Sequence, residues 1–304
     1  MSDGWRVRFD AEVNFVNGGG LRVDDFRLDI PGDRITDDEL AALLVRHLGL
    51  LMVGEVRISG KELIREAHKG GRGTAGAATP AGRRLIELSH VIRAGMVTYP
   101  GLPGPEITDH LTREDSRRSY APGTEFHIGR VSMIGNTGTY VDVPAHRFAD
   151  GADLAAVPLE RLADLPGLVV RVPAGVRAID RLLLAPYQVT GRAVLLHTGW
   201  DAHFGTARYG DPDHPYLAED GVRWLVENGA ALVGIDSVNI DDTAPASGGS
   251  RPAHSGLLAA GIPIVEHLRG LAALPPEGFR FTAAAPLIEG MGGLAVRAFA
   301  VVGD

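Results

Sequence analysis

The sequence predicts a small α+β unit at residues 1–67, a linker at residues 68–82, and a larger mixed α/β domain dominated by sheet at residues 83–304. Three observations lead to this division: a hairpin and helix pattern near the N-terminus, a glycine- and alanine-rich stretch without apolar periodicity, and a series of short β-like runs after it. A chain of 304 residues is long enough to bury a substantial core, in one large domain or two of ordinary size.

The N-terminal unit opens with a strand-like stretch from Arg6 to Val16, and turn-forming residues follow at Asn17 to Gly20. A phosphate-binding glycine loop needs a helix directly after it, but another strand-like stretch follows here. The glycines therefore predict a β-hairpin. Further along, Met52 to Ile58 and Lys61 to Ile64 alternate around Ser59-Gly60, which predicts a second hairpin.

A helix is predicted between the two hairpins. Thr36 and Glu39 form a capping box, and the acidic residues between them suit the positive end of a helix dipole. Apolar residues recur on one helical face from Leu40 onward. These signals predict a helix that ends at about His47.

The larger domain follows residues 68–82, whose small, glycine-rich composition is typical of a flexible connector. Its clearest helical pattern is Asp220 to Asn228, which ends before Gly229. Short apolar runs indicate the strands of the mixed α/β domain. These runs are Leu85–Leu88, Phe126–Ile134, Leu168–Val172, Ala193–Thr198, Leu232–Ile235, Ile262–Val265, Phe279–Ala283 and Val296–Val302.

Composition and charge exclude several kinds of site and partner. The chain has no cysteine, so any metal must be held by His, Asp, Glu or neutral oxygens, and a cysteine nucleophile is excluded. A formal net charge of −8 predicts no nucleic-acid partner. No apolar run is long enough to cross a bilayer, and the N-terminus lacks a secretory signal pattern. We therefore expect no membrane partner and a cytoplasmic location.

One segment departs from ordinary patterning: Gly135 to Phe148, directly after a predicted strand. Within it, Asp142 and His146 are separated by a turn that Pro144 stiffens. Because proline limits backbone freedom, two such side chains can converge on one cation. An Asp and a His at this spacing are, however, more often surface or hydrogen-bonded structural residues than ligands.

The segment resembles the signature His-x-Gly-Thr-His-x-Asp-x-Pro-x-His of the cyclase, or kynurenine formamidase-like, family of metal-dependent hydrolases. Other stretches match this family in the same order, from about Arg84 to Val302, which makes the resemblance more specific than any single motif. These stretches are Leu88-Ser89-His90, Tyr99-Pro100-Gly101, His197-Thr198-Gly199-Trp200-Asp201, Val233-Gly234-Ile235-Asp236, His254 before Gly256-Leu257-Leu258, Ile262-Pro263-Ile264-Val265-Glu266, Pro286-Leu287 and Val296-Arg297-Ala298.

The resemblance implies a fold, an assembly and a metal site. The implied fold is a compact α/β domain of the swivelling β/β/α type, and the implied assembly is a homodimer or homotetramer that binds a small-molecule substrate. One or two zinc or manganese ions are expected at the signature. Carried over by position, the metal-site residues are Asp142, His146, His254 and Glu266.

The chain departs from the signature at Asn136 and Tyr140, which stand where the family has histidines. An amide oxygen is a weak ligand, and a phenol with a usual pKa of about 10 binds a metal well only when deprotonated. One of two metal positions should therefore be lost. The sequence predicts a single-metal site, with zinc or manganese held by the four retained side chains.

Catalytic roles are expected for His146, Tyr140 and Asn136. An ion at this site would acidify water and polarise a carbonyl, with His146 as general base if it is not itself a ligand. Tyr140 is expected either to donate a hydrogen bond or proton in the reaction, or to be a buried structural aromatic. The predicted walls of the substrate pocket, for which core packing is the alternative, are Tyr99, Phe148 and Trp200.

Other polar side chains are expected to be structural. His90, His197 and His267 lie beside strand-like segments, where hydrogen-bonded histidines are commoner than ligands. Aspartates that flank loops are expected to cap helices or stabilise turns. These aspartates are Asp201, Asp236, Asp241 and Asp242.

Three functions remain open. The leading one is hydrolysis of an amide, lactone or cyclic imide in a small substrate, which the domain-wide resemblance supports. The second is cyclisation, dehydration or isomerisation in a biosynthetic pathway, without metal or with little dependence on it, which the altered signature favours. The third is a non-catalytic, ligand-binding relative in which the N-terminal unit mediates assembly.

Overall fold

The computed structural model describes residues 5–30, 32–48, 50, 52–65, 82–99 and 101–303. The chain divides into two compact units, Met1–Ala78 and Thr79–Asp304. The linker predicted at residues 68–82 lies outside the described residues except for Gly82. Its position therefore stays a prediction.

The first unit is a three-stranded antiparallel sheet with one helix. The turn at Asn17–Gly20 joins the first two strands in the predicted hairpin, and alternate residues from Val7 to Val13 are buried under the helix. The capping box is present, because the backbone N–H of Glu39 donates to Thr36 Oγ1 at 3.2 Å. In the strand order β2-β1-β3, the elements are β1 (Trp5–Phe15), β2 (Gly20–Ile30), α1 (Asp37–Leu48) and β3 (Val53–Arg65).

The second predicted hairpin, at Ser59-Gly60, is wrong. Strand β3 continues through these residues and pairs with β1, with one extra β3 residue between the pairs Arg8–Glu62 and Asp10–Ser59. Gly60 has a φ of 61°, the left-handed conformation that fits a β-bulge. Because β1 offers a partner on both sides of the glycine, the chain kinks there and does not reverse.

The second unit is built around one mixed sheet of nine described strands, and β5 pairs with β6 and β9 with β11 in two small sheets beside it. The strands of the unit are β4 (Arg84–Glu87), β5 (Glu106–Leu111), β6 (Ile128–Ser132), β7 (Tyr140–Asp142), β8 (Leu165–Arg171), β9 (Ala178–Ile179), β10 (Ala193–His197), β11 (Tyr216–Leu217), β12 (Leu232–Ile235), β13 (Ile264–Glu266), β14 (Glu277–Thr282), β15 (Gly293–Ala295) and β16 (Phe299–Val302). Its helices are α2 (Arg113–Ser116), α3 (Arg181–Leu184), α4 (Glu219–Glu227) and α5 (Pro252–Ala259). None of the described helices combines the length and the hydropathy that a bilayer crossing requires.

The strand order in this sheet is β15-β7-β13-β12-β10-β8-β14-β16-β4, and the neighbours from β13 to β8 are parallel. Both faces of the central strands are buried. Leu195 of β10 packs into one apolar core, whereas Val194 and Leu196 pack into a second core that α4 and α5 cover. The predicted mixed α/β fold is confirmed, and the swivelling arrangement stays a prediction.

Two elements that carry site residues had no sequence-based prediction. Strand β7 is only three residues long, and it lies between a glycine-rich segment and Pro144. Helix α5 begins at Pro252 and mixes apolar and small residues without a clear stripe. Neither element is long or periodic enough for a pattern-based prediction.

Candidate functional site

Strand pairing brings together residues that are far apart in the sequence. β7 lies between β13 and β15 and is antiparallel to both, and Glu266 of β13 is paired with Tyr140. Asp142 is two residues further along β7, so its side chain lies on the same face as that of Tyr140. Pro144 then begins a single 3₁₀ turn that ends at His146. His146 Nδ1 lies 3.2 Å from Asp142 Oδ1.

Gly293, the first residue of the neighbouring strand β15, and Gly292 before it bring the backbone close to this face. A Cβ atom at Gly293 would lie 2.3 Å from Oδ1 of Asp142, and one at Gly292 would lie 2.3 Å from the backbone nitrogen of His146. Both distances are shorter than nonbonded atoms allow. The space beside the carboxylate therefore exists only because β15 carries no side chain there.

His254 reaches the same point from helix α5. Asp241 caps this helix, because its carboxylate accepts the backbone N–H groups of Ala253 at 2.6 Å and of His254 at 3.1 Å. The same carboxylate lies 2.6 Å from His254 Nδ1, which leaves Nε2 directed toward Asp142 Oδ2 at 3.7 Å. The predicted capping role of Asp241 is thus present, but sequence reasoning missed that Asp241 also orients His254.

Asp142 is the centre of the cluster. Its side chain is 0% exposed, and no described group donates to either carboxylate oxygen with hydrogen-bond geometry, although ring nitrogens of His146 and His254 lie 3.2 and 3.7 Å away. Asp142, His146 and His254 each offer one ligand atom, and these atoms lie within 4.8 Å of one another. A buried carboxylate without donors is costly unless a positive charge lies next to it. One oxygen and two imidazole nitrogens suit a zinc ion.

The pKa of His254 shows how strongly this pocket attracts positive charge. Burial lowers its pKa, but the carboxylates of Asp142 and Asp241, with the negative charge of Glu266, outweigh burial and raise it to about 10. The site therefore favours a positive charge at this position, whether a proton or a metal ion supplies it.

Glu266, the fourth predicted ligand, lies beside the cluster with both oxygens engaged. Oε1 accepts the backbone N–H of Ile240 at 2.6 Å, and Oε2 accepts the hydroxyl of Tyr140. Oε2 is also 4.0 Å from His254 Nε2. Burial raises the pKa of Glu266, which the charge of His254 opposes. Burial and the nearby carboxylates also raise the pKa of Tyr140 well above its usual value, so the phenol stays protonated at neutral pH.

A cavity of about 390 Å³ opens onto these side chains. The three predicted catalytic residues, His146, Tyr140 and Asn136, all line it, and so does the predicted pocket residue Tyr99. Sequence reasoning missed several lining residues that no motif indicates. These residues are Leu102, Arg147, Asn239 and Arg251.

The other two predicted pocket residues, Phe148 and Trp200, are not among the described residues that line the cavity. Phe148 packs against the core that α4 and α5 cover. Trp200 is buried with Tyr209, and its indole N–H donates to the Tyr209 carbonyl at 3.0 Å. Their apolar surface is used in packing, the alternative that the sequence left open. Trp200 nevertheless supports Tyr99, which packs against the same cluster.

Polar residues expected to be structural lie outside the Asp142 cluster. Asp236 accepts the backbone N–H groups of Thr198 and Gly199 at 2.7 and 2.9 Å, and so holds the turn after β10. His267 bonds Tyr209 through Nδ1 at 2.8 Å. Burial lowers the pKa of His267 to about 3, so its ring is neutral. These contacts agree with the structural roles expected from their positions.

A family model described as "Putative cyclase" matches residues 86–242. Cyclase-like protein 1 of Oryza sativa subsp. japonica is 31% identical over 182 residues, which are 55% of this chain and 64% of that protein. The kynurenine formamidase of Erythrobacter litoralis is 29% identical over 187 residues, which are 61% of this chain and 79% of that protein. The chain thus spans less than two thirds of the length of the rice relative.

Solved structures share the fold. A structure described as a potential metal-dependent hydrolase with cyclase activity has a TM-score of 0.59 and 24% identity, and covers 73% of this chain and 99% of its own. Isatin hydrolase A from Ralstonia solanacearum has a TM-score of 0.60 and 21% identity, and covers 72% of this chain and 92% of its own. Identities this low establish similarity of fold alone.

Proposed function

Because the chain belongs to the putative cyclase family, we propose that it is a metal-dependent hydrolase that cleaves an amide, lactone or cyclic imide bond in a small substrate. The observation that carries this proposal is the carboxylate of Asp142, which is fully buried, has no hydrogen-bond donor among the residues that the structure describes, and faces two imidazoles. Relatives and neighbours named for hydrolysis of a formamide and of isatin support the choice of bond.

The residues present fit a single divalent ion. Asp142, His146 and His254 would hold it, with zinc or manganese as the candidates and Glu266 next to them. Such an ion, when bound, lowers the pKa of a water molecule and polarises a carbonyl oxygen. Its charge would also satisfy the carboxylate that burial leaves without donors.

The surrounding side chains orient these ligands and move protons. Asp241 accepts from Nδ1 of His254 and so keeps Nε2 available. His146 has a side chain that is 33% exposed, which gives its ring access to the cavity and to solvent. Tyr140 is protonated at neutral pH and lines the cavity, so its hydroxyl can donate to a substrate oxygen or to the leaving group when it releases Glu266 Oε2.

Metal analysis of protein purified without chelator tests the metal site. We expect one zinc or manganese ion per chain, loss of that ion in His254→Ala, and retention in the control His110→Ala, which changes an exposed histidine outside the cluster. His146→Ala separates two roles: lost metal identifies a ligand, whereas retained metal with lost turnover identifies the general base. Absence of a stoichiometric ion in the wild-type protein would refute the metal-dependent reading.

Hydrolysis is tested with formanilide and isatin in water enriched in oxygen-18. We expect one heavy oxygen in the carboxylate product, and activity that disappears with a chelator and returns with the metal. The products are identified by mass spectrometry. No release of aniline or isatinate by the metal-loaded protein, or release that a chelator does not abolish, would reject metal-dependent hydrolysis.

A second candidate function rests on Asn136 and Tyr140, which replace two signature histidines and line the cavity. A phenol that is hydrogen-bonded to a buried carboxylate can exchange that hydrogen bond for one to a substrate oxygen, which suits cyclisation, dehydration or isomerisation. This candidate predicts that neither formanilide nor isatin takes up oxygen-18 from the solvent. The oxygen-18 experiment therefore separates the two candidates.

A further inference from the structure

Two arginines at the cavity are not among the candidate metal ligands Asp142, His146 and His254. Arg147 follows His146 directly, and Arg251 immediately precedes helix α5, so both are adjacent to elements that carry predicted ligands. Both line the cavity that His146, His254 and Glu266 also line. Neither forms an ion pair with a described carboxylate.

The contacts of Arg147 leave its charge available. Its guanidinium lies over the ring of Phe148, with the central carbon 5.4 Å from the ring centre, and Nε makes a long contact of 3.4 Å with Ser255 Oγ. The residue is exposed at the surface of the cavity. Two neutral partners hold the side chain in place without neutralising it.

Among the described residues, Arg251 is bound only by backbone carbonyls. Its Nη1 donates to the carbonyl of Ser250 at 2.8 Å and to that of Asp242 at 3.3 Å. The carboxylate of Asp242 does not pair with Arg251, and its Oδ1 accepts from Arg177 and from the backbone N–H of Ala244. Arg251 therefore keeps a full positive charge beside the cavity.

The acidic groups at the cavity have cationic partners, whereas the two arginines have no acidic partner among the described residues. Glu266 and His254 line the cavity and Asp142 lies next to His254, so that His254 and a bound cation would balance the two carboxylates. The arginines add positive charge that no described acidic group compensates. Since the whole chain carries a formal net charge of −8, long-range attraction does not favour anions, and an anion would be held by local contacts.

We propose that Arg147 and Arg251 form an anion subsite in the cavity, and that the substrate of this enzyme carries a carboxylate in addition to its scissile bond. The statement about the scissile bond rests on the proposed hydrolase function, whereas the statement that the arginines bind an anion does not. Guanidinium groups bind carboxylates through paired, charge-assisted hydrogen bonds, which suits this role. The subsite would fix one end of a small substrate while the other end faces Asp142, His146 and His254.

The test compares the ortho, meta and para isomers of formamidobenzoate with formanilide, which is their neutral counterpart. The measured quantity is the carboxylate preference, defined as the ratio of kcat/KM for an isomer to kcat/KM for formanilide in the same protein. We expect a preference of about tenfold or more for at least one isomer, mostly in KM. In Arg147→Gln this preference should fall about tenfold, and Arg147→Lys should retain part of it.

Arg223→Gln is the matched control, because Arg223 is an exposed arginine of α4 paired with Glu219 at 3.6 Å. It should keep the wild-type preference. Arg251→Gln extends the test, and Arg147→Gln remains informative if loss of the backbone contacts of Arg251 unfolds the loop. If all substrates are hydrolysed without a preference, or if Arg147→Gln leaves the preference intact, the proposal is overturned.

A binding experiment separates the anion subsite from the hydrolase. Calorimetry measures the affinity of the metal-loaded protein for the three aminobenzoates and for aniline. If no formamide is hydrolysed but an aminobenzoate binds tightly and loses about tenfold in affinity in Arg147→Gln, the subsite is supported and the hydrolase is rejected. Binding that is unaffected by Arg147→Gln, as expected for a carboxylate that contacts only the metal, overturns the subsite.

Discussion

Asp241 Oδ2 lies 2.6 Å from His254 Nδ1, and this contact orients the imidazole toward the buried Asp142. The same carboxylate caps helix α5 by accepting its backbone N–H groups. The orientation of His254 thus depends on a residue that is not itself a candidate metal ligand. A carboxylate on the second ring nitrogen fixes the tautomer and increases the basicity of a histidine ligand.

Asp241→Asn should weaken metal affinity about 10- to 100-fold while leaving the fold intact. Asparagine still caps helices well, so α5 should persist, but a neutral amide orients His254 less strongly. Affinity is measured by competition with a chromogenic chelator. Asp242→Asn is the control, because that carboxylate pairs with Arg177. Equal affinities for Asp241→Asn and the wild type would show that the contact is only structural.

Tyr140→Phe should lower kcat about 100-fold or more if its hydroxyl donates a proton in the reaction. The ring is retained and the cluster of Asp142, His146 and His254 is unchanged, so metal content should stay at the wild-type level. Steady-state kinetics on formanilide and metal analysis of the same sample provide the two readouts. Unchanged turnover would assign the Tyr140 hydroxyl to structural support of Glu266.

Gly293→Ala should abolish stoichiometric metal binding and destabilise the protein by about 1–3 kcal/mol. The added methyl group would lie 2.3 Å from Asp142 Oδ1, so the carboxylate or strand β15 must move. Metal analysis and urea unfolding measure the two effects. Gly32→Ala is the control, because a Cβ there meets no atom within 4 Å. Normal metal content in Gly293→Ala would contradict the tight approach of β15.

His90→Phe should reduce the decrease in the free energy of unfolding that occurs as the pH falls. Burial, assisted by the charge of Arg269, lowers the pKa of His90 from 6.5 to about 4. Below pH 6.5 the unfolded chain binds a proton at His90 that the folded protein does not bind until about pH 4, so the wild-type protein loses stability across this window. Because the ring is partly exposed, we expect His90→Phe to remove about 1–2 kcal/mol of that loss.

Phenylalanine keeps the stacking of residue 90 on Phe204, where the ring centres are 3.5 Å apart. The free energy of unfolding is measured in urea at several pH values between 4 and 7. His110→Gln, at an exposed position, should follow the wild-type curve. Parallel curves for His90→Phe and wild type would mean that His90 does not titrate in this way.

Local patterns predicted elements where the local signal agreed with the tertiary environment. The hairpin at Asn17–Gly20 and the capping box at Thr36 formed as expected. Gly60 does not form the predicted turn, because β1 pairs with β3 on both sides of it. A β-bulge accommodates the positive φ that glycine favours just as a turn would. Phe148 and Trp200 could not be assigned to pocket or core from sequence, because both environments favour aromatic residues.

The candidate site shows the same limit. Order-preserving motifs made Asp142, His146 and His254 candidates, and strand pairing with helix docking places their ligand atoms within 4.8 Å of one another. Asp241 could be assigned only a cap from sequence, since its second contact depends on where α5 packs. Arg147 and Arg251 carried no sequence signal, because whether an arginine is paired depends on neighbours that the fold supplies.

From sequence alone, the chain's class was readable: a mixed α/β domain with a family-specific run of polar residues, no cysteine, and two signature histidines replaced by Asn136 and Tyr140. Only the tertiary structure decided that Tyr140 donates to Glu266 and that, within the part of the chain that the structure describes, Asp142 lacks hydrogen-bond donors and two arginines at the cavity lack ion-pair partners. The physical reason is that periodicity and motif order are local properties of a chain, whereas burial, hydrogen-bond satisfaction and charge balance depend on residues distant in sequence.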